Sequence, residues 1–349
     1  MFVLENYWIG ILFCVITMLC WGSWANTQKL AGKTWRYELY YWDYVIGVLL
    51  TALVFALTMG SIGEYGRGFL ADLAQAEWAY IGSAFLGGVV FNAANLMLVA
   101  PIALAGMSVA FPIGIGLALV LGVLINYVAN PGDANPYLLF AGVGLVTAAI
   151  IINAIAYRKL PNQQQGVSTK GITLAIVCGI LMSLFYFLVA RSLAGVELDG
   201  EIVFLTYGAL ASGGVLESGK MTPYTANVVF ALGILFSSFV FVTAIMYKPF
   251  TGEPVALGAY FKGSFLDHLW GILGGSIWAV GMTLNVIASG VASPAVSYGL
   301  GQGATLVAAI WGVFVWREFK EGSPTVMKLL TIMFLTFFVG LTLIVATRL

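Results

Sequence analysis

The chain has 349 residues, of which 61% are hydrophobic and only 9% are charged. A soluble domain carries about 25% charged residues because water has to solvate its surface, so this composition excludes an ordinary globular protein. The formal net charge is +0 and the basic residues are scattered along the chain, which gives no reason to expect a nucleic-acid partner. We therefore expect an all-α membrane protein whose helices are embedded in lipid.

The first apolar run is predicted to be retained as a membrane span. Residues 1–7 contain Glu5 but neither Lys nor Arg, whereas a secretory signal begins with basic residues and ends at a small-residue cleavage site. The run continues from Trp8 past Trp24.

No metal site is expected, because the chain has one histidine and its three cysteines lie inside apolar runs without the spacing of metal ligands.

Ten segments are long and apolar enough to cross a bilayer, which takes about 20 residues at about 1.5 Å per residue. The predicted spans are 8–28, 42–62, 78–99, 104–128, 137–157, 171–193, 222–247, 269–289, 294–316 and 326–347. The breaks near Pro101 and Pro294 are very short, so we expect tight antiparallel hairpins there.

The distribution of Lys and Arg predicts the orientation. Eleven of them lie in odd-numbered loops: Lys29, Lys33, Arg36, Arg158, Lys159, Lys170, Lys248, Lys262, Arg317, Lys320 and Lys328. The other side has only Arg67, Arg191, Lys220 and Arg348. By the positive-inside rule, we expect the odd loops in the cytoplasm and both termini outside, in the inner (cytoplasmic) membrane of a cell.

An internal repeat is visible without gaps. Moving residues 86–120 forward by 187 positions aligns nine of them with identical residues: Leu86, Gly87, Gly88, Val99, Val109, Gly114, Gly116, Leu119 and Val120. Each half then contains five spans, and an odd number inverts the second half, as in many transporters. We predict two inverted five-helix halves, 1–157 and 171–349, joined by a short cytoplasmic linker at 158–170. A chance match between glycine-rich helices remains the alternative.

A series of short motifs follows the predicted spans in order. They are Trp21-Gly22-Ser23-Trp24, Tyr41-Trp42-Asp43-Tyr44, Gly87-Gly88 with Asn95-Leu96, Gly106-Met107-Ser108-Val109, Gly122 with Asn126-Tyr127, and Trp311-Gly312 with Trp316-Arg317-Glu318-Phe319-Lys320. In these motifs the chain resembles the ureide permeases, within the drug/metabolite transporter superfamily of ten-helix carriers. The resemblance implies the fold of that superfamily around a central cavity, and proton-linked movement of small neutral solutes such as allantoin or uracil.

The resemblance has one departure. Plant ureide permeases have a long central cytoplasmic loop, whereas here the corresponding segment, 158–170, is short. Related carriers of the superfamily move monosaccharides such as ribose, so the substrate class stays open between ureides or nucleobases and sugars.

Polar and aromatic side chains inside the spans are the candidate substrate ligands, because a polar group facing lipid is costly. The predicted set is Trp21, Trp24, Gln28, Asn92, Asn95, Tyr186, Trp278, Asn285, Tyr298 and Gln302. Amides supply donors and acceptors, and indoles stack on flat rings or sugar faces. The alternative is that the amides link helices and the tryptophans are packing or interfacial anchors.

Charged residues deep in the predicted spans are almost absent, so few groups could couple transport to protons. Asp43, near the cytoplasmic end of the second span, is the candidate, because burial and nearby charges change the proton affinity of a carboxylate. The alternative is an interfacial aspartate paired with Lys29 or Lys33. His268, at the start of the eighth span, is expected to be a surface residue.

These features favour a secondary active transporter that imports a small polar neutral metabolite, driven by a proton gradient and without a cofactor. An exporter of amino acids or drug-like metabolites on the same fold is the alternative. A membrane enzyme is disfavoured, because the sequence offers one histidine and neither a metal-ligand cluster nor a nucleophile–base pair. The expected partners are a small-molecule substrate and the bilayer. The oligomeric state stays open, and a monomer is compatible with this role.

Overall fold

The structure, a computed structural model, describes residues 1–31, 35–98, 107–130, 134–160, 168–250 and 252–348. Within these ranges, ten helices are long and apolar enough to cross a membrane. They are α1 Tyr7–Leu30, α2 Tyr37–Leu57, α3 Trp78–Met97, α4 Met107–Ala129, α5 Pro136–Arg158, α6 Thr169–Ala190, α7 Pro223–Tyr247, α8 Phe265–Ala292, α9 Pro294–Val315 and α10 Pro324–Val345. The predicted all-α membrane architecture is confirmed.

Two helix boundaries differ from the sequence prediction. α2 starts at Tyr37 and ends at Leu57, so both ends lie five residues before those of the predicted span 42–62. The helix can start this early because Glu38 is buried in an ion pair with Arg36 (2.6 Å) and does not mark a boundary with solvent. α8 starts at Phe265 behind a capping box, in which the Ser264 and Asp267 side chains satisfy backbone donors at the helix start. The predicted hairpin break near Pro101 and most of the linker, 161–167, lie outside the described residues.

Short elements lie between the spans. Residues 193–221 form a three-stranded antiparallel sheet of β1 (Val196–Leu198), β2 (Glu201–Val203) and β3 (Val215–Leu216) in the order β2-β1-β3. We call the end of the bundle that carries this sheet the N-terminal face, because residues 1–4 also lie there. Phe2 N–H donates to Met59 O (2.7 Å) and Tyr207 N–H donates to Leu4 O (2.9 Å).

The contacts made by the first five helices recur for the last five. A contact between two helices has a counterpart when each helix is replaced by the one five places away, so that α1 corresponds to α6 and α5 to α10. α1 packs against α8 and α9, and α6 packs against α3 and α4. α2 packs against α8, and α7 packs against α3, while the pairs α2–α7 and α5–α10 are their own counterparts. The contacts therefore repeat between the first five and the last five helices, and the inversion of the two halves stays a prediction.

The two equivalent crossings, α2–α8 and α3–α7, depend on glycine. A Cβ at Gly275 would overlap the carbonyl oxygen of Tyr44, and a Cβ at Gly88 would overlap the carbonyl oxygen of Phe230. The two glycines are 187 residues apart and the two carbonyl residues are 186 apart. Small residues allow such close backbone contact in lipid, where packing must hold the helices together.

The Gly275 crossing gives a stability prediction. Gly275→Ala should lower the free energy of unfolding by about 1–3 kcal/mol, because the new methyl group has to displace the α2 backbone. The measurement is thermal unfolding of the purified variant in detergent.

Gly144→Ala is the matched control, since that glycine is exposed on α5 and a Cβ there meets nothing within 4 Å. Its unfolding temperature should equal or slightly exceed that of the wild type, because alanine favours helix more than glycine does. Equal unfolding temperatures for the two variants would contradict the close crossing.

Candidate functional site

The centre of the bundle is an aromatic cluster around Trp278 of α8. Its ring centroid lies 4.4 Å from that of Phe91, 5.8 Å from Trp21, 6.0 Å from Phe230 and 6.4 Å from Tyr44. Phe91 and Trp278 occupy equivalent positions in the predicted repeat, so the two halves contact each other here through corresponding residues. The glycine crossings bring these helices close enough for the rings to meet.

Trp21 and Asn285 lie next to each other on one side of this cluster. Trp21 stacks on Trp278 with an interplanar angle of 10°, and its Nε1–H donates to Trp278 O (3.2 Å). Asn285 Nδ2 donates to Ser297 O (2.9 Å), whereas its buried Oδ1 has no hydrogen-bond partner among the described residues. A Cβ at Gly301 would lie 2.8 Å from the edge of the indole and 3.0 Å from the amide nitrogen. The side chains of Trp21 and Asn285 therefore lie next to each other.

The two predicted tyrosines are also buried, but their hydroxyl groups have partners. Tyr298 donates to Ala118 O (3.0 Å), and Tyr186 donates to Asn285 O (3.4 Å). Their ring centroids are 5.2 Å apart. These tyrosines link α4, α6, α8 and α9, and Tyr186 holds the backbone of Asn285 through its hydrogen bond.

Asn92 and Asn95 belong to a separate group around Tyr41. Tyr41 O–H donates to Asn92 Oδ1 (2.9 Å), and Asn95 Nδ2 donates to the Tyr41 hydroxyl (3.1 Å). Asn92 Nδ2 also donates to the hydroxyls of Ser237 (2.8 Å) and Ser238 (3.0 Å). The geometry at Asn92 therefore favours a link between α2, α3 and α7. This agrees with the alternative stated above, that amides within the spans link helices.

The remaining predicted ligands are half-buried. Trp24 packs against Tyr44 with 4.9 Å between ring centroids. The side chains of Gln28 and Gln302 make no hydrogen bond to the described residues, and the buried Tyr44 hydroxyl also has no partner there. Tyr44 was not among the predicted ligands, although it belongs to the Tyr41-Trp42-Asp43-Tyr44 motif that the sequence singled out.

A cavity of about 600 Å³ opens at the N-terminal face. Its walls include residues 1–4, Phe187, Arg191 and Val286. None of the ten predicted ligands lines it, but Phe187 and Val286 directly follow Tyr186 and Asn285 in the chain. The ten predicted ligands therefore do not line this cavity. It is not the central cavity around which the sequence predicted that they would lie.

Asp43 forms a cluster with His268 and Tyr260. It lies one and a half turns inside α2 and is 1% exposed. His268 Nδ1 is 2.9 Å from Asp43 Oδ1 and 3.0 Å from Oδ2, and Tyr260 O–H donates to Oδ1 at 2.5 Å. Gly271 leaves the space on α8 into which the Asp43 side chain fits.

The structure corrects one sequence expectation about this cluster and part of another. His268 is not a surface residue, because only 25% of its side chain is exposed and its ring packs edge-on against Trp35 (5.0 Å) and Tyr260 (4.7 Å). Asp43 is not paired with Lys29, which instead contacts Glu318 (3.1 Å). Lys33 lies outside the described residues. The sequence could not pair Asp43 with His268, because 225 residues separate them.

The ten spans define a multi-pass membrane protein. Comparisons with known proteins agree. Residues 40–170 match the ureide permease family model. Ureide permease 1 of Arabidopsis thaliana is 23% identical over 99% of both chains, and ureide permease 5 of the same plant is 22% identical over 99% of this chain and 96% of its own.

Two further similarities cover part of the chain or the fold alone. A probable ureide permease A3 of Vigna unguiculata is 32% identical over 41% of this chain and 39% of its own. A solved crystal structure aligns over 96% of both chains with a TM-score of 0.57 and 14% identity, which shows a shared fold. The chain is similar to ureide permeases, as its motifs predicted, and these relatives are transporters and not enzymes.

The group around Asn92 gives a second stability prediction. Asn92→Ala should lower the free energy of unfolding by about 1–3 kcal/mol, because it leaves buried hydroxyl groups of α2 and α7 without a partner. Thermal unfolding in detergent would measure it.

Asn153→Ala is its control, because the Asn153 side chain makes no hydrogen bond to the described residues. That variant should stay within about 0.5 kcal/mol of the wild type. If Asn92→Ala were equally neutral, Asn92 would not link the helices.

Proposed function

We propose that this protein is a secondary active transporter that imports a small neutral ureide or nucleobase together with protons. The single observation that carries the proposal is the similarity to ureide permeases along 99% of the chain. The predicted orientation places the N-terminal face, with its cavity, outside the cell, and the Asp43 cluster at the cytoplasmic end of the bundle.

The chemistry of the aromatic centre supports this substrate class. A ureide or nucleobase is flat and carries both N–H donors and carbonyl acceptors, so it can stack on an indole and hydrogen-bond to amides. Trp21 offers an indole, and Asn285 Oδ1 is a buried acceptor without a partner among the described residues. The side-chain amides of Gln28 and Gln302 make no hydrogen bond to that part of the chain either. Ribose, the sugar alternative, could bind such amides too, and the transport assay therefore includes it.

The helix packing supports a mechanism of alternating access. α2 and α8 belong to different predicted halves, and the Asp43–His268 contact joins them. Loss of the Asp43 charge on protonation weakens this contact, because the attraction between the two groups depends on their charges. Rocking of one half against the other would then carry the aromatic site from one face of the membrane to the other.

The proposal is tested by uptake of labelled allantoin, uracil and ribose into vesicles with an imposed proton gradient. We expect uptake of allantoin or uracil that falls at least about tenfold when an ionophore collapses the gradient, since the gradient is the driving force. Asp43→Asn should abolish this dependence.

Asp199→Asn is the control for the charge change, because Asp199 lies in an exposed hairpin turn at a positive φ of 53°, a conformation that asparagine tolerates. Accumulation of labelled substrate by wild-type vesicles without any gradient would disprove proton coupling. Uptake of ribose, without uptake of allantoin or uracil, would show that the substrate is a sugar and not a ureide or nucleobase.

The stacking role of Trp21 gives a separate prediction. Trp21→Ala should raise the KM for the substrate about threefold to tenfold, because an aromatic contact contributes about 0.5–1.5 kcal/mol. The KM is read from initial uptake rates. Trp78→Ala is the control, since Trp78 is 84% exposed at the start of α3, and its KM should be that of the wild type. An unchanged KM in Trp21→Ala would remove Trp21 from the site.

A further inference from the structure

The carboxylate of Asp43 is almost sealed from solvent. It is 1% exposed and lies against the backbone of α8 at Gly271. Its hydrogen-bond partners among the described residues are Tyr260 and His268. A proton that reaches or leaves this carboxylate while the cluster is assembled therefore has to pass through one of these two side chains.

Tyr260 is unsuited to exchange protons. It belongs to the short 3₁₀ helix Leu257–Lys262, outside the spans. Burial raises the pKa of Tyr260 above its ordinary range, and the hydrogen bond to Asp43 raises it further. The phenol therefore keeps its proton near neutral pH and acts as a fixed donor to the carboxylate.

His268 has the geometry that proton exchange requires. Its Nδ1 faces both carboxylate oxygens, at 2.9 and 3.0 Å. Its Nε2 lies on the other side of the ring, 2.8 Å from where a Cβ at Gly263 would be, and the side-chain hydrogen bonds of His268 to the described residues are all made by Nδ1. One quarter of the side chain is exposed. The imidazole thus bridges the space between the partly open loop before α8 and the sealed carboxylate.

We propose that His268 is the proton relay of Asp43. Nε2 takes up a proton from water, Nδ1 releases its proton to Asp43 Oδ1, and the products are a neutral imidazole protonated at Nε2 and a neutral carboxylic acid. The reverse steps discharge the proton. An imidazole suits this role because it can bind one proton on each nitrogen and titrates near neutral pH. The inference deepens the proposed function and rests on its proton coupling.

The other groups around the relay leave the proton transfer to these two residues. Tyr40, on α2, shares a hydrogen bond of 2.7 Å with Thr27. Asp267 is engaged by Ser264 in the capping box of α8. Trp35 covers one side of the His268 ring and carries no titratable group. Lys262, at the end of the 3₁₀ helix, is exposed.

The relay predicts which step of transport fails when His268 is removed. Substrate exchange across the membrane needs no net proton movement, whereas uptake driven by a gradient needs a proton on every cycle. His268→Ala should therefore reduce gradient-driven uptake about tenfold or more, the size expected for a positioned proton-transfer group, and should leave counterflow of labelled against unlabelled substrate near the wild-type rate.

Chemical rescue separates proton relay from packing. Imidazole added to His268→Ala vesicles should restore gradient-driven uptake, whereas pyrazole, a ring of similar size and much weaker basicity, should not. His268→Gln is the control for any effect of imidazole on the gradient itself, because its side chain fills the space and should not respond. Thermal unfolding in detergent confirms that each variant is folded.

The outcomes distinguish this inference from the proposal on which it rests. Wild-type uptake that ignores the proton gradient would overturn the coupling and the relay together. Coupled wild-type uptake with His268→Ala unaffected would overturn the relay alone. Equal rescue by imidazole and pyrazole, or loss of counterflow in step with coupled uptake, would show that His268 only supports the packing of α2 on α8.

Discussion

The close crossing of α2 and α8 is the contact on which most of the structure depends. Gly275 lets the α8 backbone reach the carbonyl of Tyr44, and four residues earlier Gly271 leaves room for the side chain of Asp43. The same spacing that brings Trp278 into the aromatic cluster therefore also sets Asp43 opposite His268. In lipid, helices associate through such close packing because no water is displaced between them.

Buried polar groups in this bundle serve two purposes, and their hydrogen bonds distinguish them. Asn92 uses both ends of its amide to join α2, α3 and α7, so its removal threatens the fold. Asn285 Oδ1 has no hydrogen-bond partner in the described part of the chain, although a buried acceptor without a partner is costly. Such an atom suits a ligand better than a structural link. The bundle thus contains amides that hold helices together and others that the proposed function assigns to the substrate.

In the proposed mechanism, the proton and the substrate act at different depths of one interface. The aromatic cluster and the Asp43 cluster both lie along the contact between α2 and α8, and these helices belong to different predicted halves of the chain. In this mechanism, a change in charge at Asp43 would alter the packing of α2 on α8 that positions the rings. In our proposal this shared interface, without any direct contact between proton and substrate, provides the coupling.

The sequence by itself determined the class of protein, the ten spans and the family resemblance, because length and hydropathy decide which segments enter lipid and short motifs lie along the chain in order. It also selected Asp43, Trp21 and Asn285 as special, since polar groups within spans are few. Only the tertiary structure decided their partners. The pairing of Asp43 with His268 and the separation of Asn92 from Asn285 follow from helix crossings between residues far apart in the chain, and those crossings depend on packing that local composition does not encode.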